Sequence, residues 1–169
     1  MDILSLAFLG VLPALVISAA LTDLTSMRIP NWISAGLAVA FYPAALIVGL
    51  PLESVLVHTG VGVAALFVGM AMFAMRWVGG GDAKLLAAAC LWMGLEGTGP
   101  FLLYTAVVGG AFGLLLLAAR SYLRPLLSGA PGWVMTLLEP KGDIPYGVAI
   151  AIGALLAFPG SPLVLAALA

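Results

Sequence analysis

Charge is what this chain has least of. Six Lys and Arg and seven Asp and Glu make up 8% of its 169 residues, against 64% hydrophobic residues. A soluble domain carries roughly 25% charged residues. This chain cannot cover a water-facing surface and reads as an integral membrane protein. Cysteine and histidine are nearly absent too: Cys90 and His58 stand alone. One Cys excludes an intrachain disulfide and a Cys-based metal site, and one His excludes a His-cluster site. A formal net charge of −1 supplies no basic field for nucleic acid. No metal and no cofactor is expected.

What is present is a series of long apolar runs. A span needs about 20 such residues to cross roughly 30 Å of hydrocarbon. Six candidates stand out, at residues 3–21, 32–50, 54–75, 83–95, 101–119 and 144–168. They do not alternate polar and apolar positions as barrel strands do, so they are helices. The fold expected is an all-α membrane bundle of about six transmembrane helices forming a single domain over residues 1–169. The fourth run is short, as a re-entrant or bilayer-thinning segment would be.

The basic residues are one-sided. Arg28, Arg76, Lys84, Arg120, Arg124 and Lys141 all fall on or beside the odd-numbered loops. Glu53, His58 and Glu96 lie in or beside the even ones, with no Lys or Arg. The positive-inside rule places the odd loops in the cytoplasm and both termini outside it. Residues 1–20 contain no basic residue, which argues against a cleaved signal peptide there. The stretch from Arg120 to Pro140 mixes basic, apolar and aromatic residues. It reads as an interfacial segment, with Arg120 and Arg124 at headgroup level, broken by Pro125 and by Ala130-Pro131-Gly132.

Against this background two carboxylates are conspicuous. Asp23 ends the first run and Asp82 begins the fourth. On the topology above they share one depth, near the inner face, where a charge costs less than the about 2.5–3.5 kcal/mol of the bilayer centre. Singly, Asp82 reads as a helix cap and Asp23 as a polar span end. Together they can meet, share a proton and act on a peptide bond as an aspartic-protease pair does. Other protease chemistries lack their residues in this chain. A zinc protease has no ligand set, and a Ser–His pair would need His58, which lies on the opposite face.

Three glycines, Gly79, Gly80 and Gly81, precede Asp82. They form neither a dinucleotide fingerprint nor a P-loop. Bare backbone beside a catalytic acid allows close approach of an extended peptide and positive φ; a plain flexible turn would use the same residues.

Residues 79–88, GGGDAKLLAA, resemble the G-x-G-D motif of intramembrane aspartic proteases, and the continuation through Lys84 and Leu85 is similar to bacterial prepilin peptidases. Residues 23–32, DLTSMRIPNW, resemble that family's first catalytic segment, and residues 144–155, IPYGVAIAIGAL, its last-helix opening. Residues 22–31 leave no room for the cytoplasmic zinc-binding insert of longer members. The likeness is to the short type that serves Flp/Tad pili, without methyltransferase activity.

The resemblance implies a catalytic dyad of Asp23 and Asp82 at the cytoplasmic face of a bacterial inner membrane. It implies a prepilin or pseudopilin substrate, with a basic leader and an apolar helix embedded among membrane lipids. Gly79 and Gly81 would shape the substrate groove. Lys84 would anchor to headgroups, steady a carboxylate or snorkel. Pro30 and Asn31 open the second span, where Pro suits a first helical turn. Asp143 would attract the basic leader with Glu139, or cap the last span. Two rival functions remain open: a small ion- or proton-coupled transporter, and a non-catalytic subunit of a pilus or secretion machine.

Overall fold

The computed structural model describes residues 3–123, 126–127 and 129–168. Arg124 and Pro125, read above as part of an interfacial segment, lie outside the described residues. All regular structure among the described residues is helical. The helices are α1 (Ile3–Leu9), α2 (Val11–Ser26), α3 (Asn31–Val48), α4 (Leu52–Ala74), α5 (Gly80–Tyr122), α6 (Gly132–Leu137), α7 (Gly147–Ala157) and α8 (Pro162–Leu168). A 3₁₀ turn, Phe158–Gly160, joins the last two.

Five segments are long and apolar enough to cross a membrane: Ile3–Ser26, Asn31–Val48, Leu52–Ala74, Gly80–Tyr122 and Gly147–Leu168. The bundle expected from the sequence is there, with one difference. The expected spans 83–95 and 101–119 are two arms of the single 43-residue segment α5.

The arms part at Gly94, whose φ of 64° and ψ of −171° are not helical. The contacts show that the chain reverses there. Cys90 meets Thr98, eight residues on; on a straight helix that pair would be about 12 Å apart. The first arm runs antiparallel to α4, with Gly69 against Ala83, Gly62 against Leu91 and His58 against Gly94. The second arm runs antiparallel to the last span, with Gly97 against Ser161, Thr105 against Gly153 and Gly109 against Tyr146. Small residues at these crossings let helix backbones approach closely, the usual device where lipid supplies no hydrophobic drive. A Cβ on Gly62 would come within 2.9 Å of Leu91 Cβ.

The first arm, residues 80–93, is about 21 Å long, short of the roughly 30 Å hydrocarbon layer. Non-helical backbone at such a depth has to be buried in protein. His58 does this. Its ring lies where a Gly94 side chain would be, and is stacked on Phe41 at 5.3 Å. Its Nδ1–H donates to the Leu91 carbonyl at 2.8 Å, beside the break in the helix ladder. Trp92 completes this end of the core. Its Nε1–H donates to Leu37 O at 2.9 Å, and its ring meets Phe41 and Phe158 edge-on, each at 6.0 Å.

Candidate active site

Opposite the His58 end, the C-terminus of α2, the N-termini of α3, α5 and α7 and the C-terminus of α4 come together. Asp23 sits in the last turn of α2 and is 6% exposed. Its Oδ2 accepts a hydrogen bond from the Gly147 N–H at 2.8 Å. Gly147 is the first residue of α7, and no side chain within α7's own segment caps that helix. Asp23 is therefore the cap of α7, supplied from α2. A helix N-terminus offers unpaired N–H groups and favours negative charge, which offsets the cost of burying a carboxylate.

Asp82 has the same kind of support. The N-cap of α5 is Gly79, so Asp82 is the third helical residue and not the cap itself. Its carboxylate turns back to accept from the Gly79 backbone, as the acidic residue of a capping box does. It is half-buried, and it is close enough to Asp23 for the two charges to interact. Both carboxylates line one cavity of about 1570 Å³.

The glycines differ from their sequence reading. They are the cap and first turn of α5, and none has the positive φ that glycine allows; among the described glycines that is found at Gly49 and Gly94. Their use is close approach. A Cβ on Gly79 would lie 2.7 Å from Asp82 Oδ2, and one on Gly81 3.2 Å from Ile29 Cβ. Ile29 also fills the space beside Gly147, 2.9 Å from where a Cβ would stand. This side chain lies between the start of α5, which bears Asp82, and the start of α7, which holds Asp23.

Pro30 is the N-cap of α3, and Asn31 its first residue. Lys84 Nζ donates to Asn31 Oδ1 at 2.9 Å, tying the start of α5 to the start of α3. Asp143 lines the cavity near its mouth. It lies four residues ahead of α7, and Asp23 holds the cap position that the sequence reading offered it.

Arg120 turns inward, onto the protein. It is 7% exposed, because its Nε donates to Leu137 O at 3.0 Å and its Nη2 to Asp143 O at 2.7 Å. Two further residues escaped the sequence reading. Gly147 carries the N–H that holds Asp23, and Tyr146 lines the cavity while packed on Gly109. Their signal was the Pro145-Tyr146-Gly147 run opening the last apolar stretch.

No curated protein and no solved structure matches this chain. Residues 10–114 match the type IV leader peptidase family, a stretch that contains both carboxylates and the glycines before Asp82. With well over half of its length matched, the chain belongs to the type IV leader peptidase family.

Proposed function

We propose that this protein is an intramembrane aspartic endopeptidase that removes the short basic leader of Flp/Tad-type prepilins at the cytoplasmic face of the inner membrane. The observation that carries the reading is the meeting of Asp23 and Asp82, from two separate spans, in one cavity at the basic end of the bundle. The transporter reading expects its carboxylates near the midplane of related halves, whereas these two stand at helix ends.

The chemistry needs only the pair and a water. The ionised carboxylate takes a proton from water as its oxygen adds to the scissile carbonyl carbon. The protonated carboxyl donates to the carbonyl oxygen, giving a neutral gem-diol. Collapse breaks the C–N bond. One proton passes from the gem-diol to the departing amine, and the pair returns to its single shared proton. The dyad titrates as a unit, so both roles belong to the pair.

Gly147 N–H fixes Asp23, and the Gly79 backbone fixes Asp82. Gly79 and Gly81 leave the approach to Asp82 free of side chains. Lys84 and Asn31 hold the two helix starts in register, with Pro30 setting the entry of α3. Asp143, at the cavity mouth, draws the basic leader. The product keeps an unmethylated N-terminus.

The test is co-expression of a tagged Flp-type prepilin with the parent and with Asp23→Asn and Asp82→Asn forms. Pilin size and new N-terminus are read by gel and mass spectrometry, after checking insertion of each form. The parent cleaves at the leader and both variants leave the prepilin intact. Cleavage by either variant would remove the dyad mechanism.

A further inference from the structure

The cavity does not stop at the carboxylates. Four helical segments each turn one stripe toward it. On α4 the stripe is Val61, Ala65, Val68 and Met72, spaced at one helical face over about 17 Å. On the second arm of α5 it is Leu95, Thr98, Leu102 and Ala106. The first arm supplies the floor with Asp82, Leu86 and Cys90, and α7 adds Ile150. The cavity is thus a groove between α4 and the second arm that starts at the dyad and runs toward the His58 end.

The chemistry of these walls limits what can lie in them. Below the dyad they are almost wholly apolar. The Thr98 hydroxyl is already spent on Gly94 O at 2.6 Å. The Thr105 hydroxyl also lines the groove and has no hydrogen-bond partner among the described residues. An extended peptide would bring a whole row of unpaired N–H and C=O groups into this groove, and one hydroxyl cannot pair with them. A helix satisfies its own backbone. A helical cylinder about 10 Å wide and 17 Å long takes up about 1300 Å³, which fits within 1570 Å³. At the dyad end the character changes, since Asp23, Asp82, Arg76 and Asp143 line the mouth. There a peptide can be extended and polar.

We propose that the groove between α4 and the second arm of α5 seats the apolar helix of the substrate, with its first residues unwound across Asp23 and Asp82. This rests on the protease reading above and adds where the substrate's membrane segment docks. Ala65, Gly69 and Ala106 leave the width a helix needs, and the rows on α4 and the second arm set its angle. The outward faces of the same helices, carrying Phe67 (64% exposed) and Leu103 (62% exposed), are left to lipid.

Disulfide trapping in membranes tests it. The protein carries Cys90→Ala and Asp82→Asn, the second to keep the substrate uncleaved. Single cysteines replace Ala65 and Leu102 in the groove, or Phe67 and Leu103 outside it. Val68→Cys and Ala106→Cys serve as the second groove pair should the first not insert. The partner is a full-length prepilin that the unsubstituted protein processes, with single cysteines scanned along its apolar segment.

Cross-links are expected from groove positions only, recurring every three to four substrate residues. Processing by the parent with cross-links absent, or equal from the outward positions, would overturn the groove and leave it to lipid chains. A parent that neither processes nor cross-links any prepilin would instead overturn the protease reading, and the groove with it.

Discussion

The Gly147 N–H donates to Asp23 Oδ2 at 2.8 Å across 124 residues of sequence. It joins the end of one span to the start of the last. A Cβ at position 147 would stand 2.8 Å from that same oxygen and 2.9 Å from Ile29 Cδ1. Gly147→Ala is therefore expected to push the carboxylate off its N–H. Overpacking costs about 1–3 kcal/mol, while a misplaced catalytic group costs about 100-fold in rate. Prepilin cleavage should fall by about that factor in a variant that still inserts and melts as a folded protein. Parent-level cleavage by Gly147→Ala would mean that this bond does not position Asp23.

The glycines before Asp82 separate by position. A Cβ on Gly79 meets Asp82 Oδ2 at 2.7 Å, whereas one on Gly80 meets only the edge of the exposed Phe73 ring, at 3.3 Å. That ring can swing away. Gly79→Ala should lose most cleavage, about 10- to 100-fold, with little change in stability. Gly80→Ala should cleave at the parent rate, helped by better helix propensity in α5. Cleavage assays on the two variants side by side decide it. An equal loss in both would show that the stretch works by flexibility and not through the Asp82 carboxylate.

The two carboxylates were legible in the sequence because a charge inside an apolar chain stands out and the basic loops fix one depth. The helices were legible from their length. What stayed hidden depends on contacts distant in sequence. Residues 96–100 read as a loop between two spans, yet the break falls inside the expected fourth span, at Gly94, with His58 filling its notch. Arg120 looks like a headgroup anchor by composition, and nothing local shows that two carbonyls 17 and 23 residues on will bury it. Lys84 gave several readings; its partner Asn31 lies 53 residues away.

Arg120 carries its own prediction. Its guanidinium holds Leu137 O and Asp143 O, four residues before the Gly147 that steadies Asp23. Arg120→Met keeps the apolar stem and removes both donors. Leaving a buried acceptor unpaired costs about 1–3 kcal/mol. The cost should appear as faster amide hydrogen exchange over residues 137–147 in detergent or nanodiscs, with exchange in α3 and α4 unchanged. Cleavage should fall in step. Uniform loosening of the whole bundle would instead make Arg120 a general stabiliser with no special tie to α7.

The break at Gly94 gives the sharpest stability test, because two residues answer for one feature. An L-residue at φ 64° and ψ −171°, a region essentially confined to glycine, costs about 1–3 kcal/mol. An added Cβ would also run into the His58 ring at Nε2. Gly94→Ala should lower the melting temperature markedly. His58→Ala should lower it too, since Leu91 O loses its donor and a void opens beside Phe41. Removing the ring also removes the clash, so the double variant should lose less than the sum of the single losses, a coupling of about 0.5–3 kcal/mol. Asp82 is twelve helical residues away, about 18 Å, so the folded fraction of each variant should still cleave at permissive temperature. Strictly additive losses would mean that the His58 ring does not occupy the Gly94 notch.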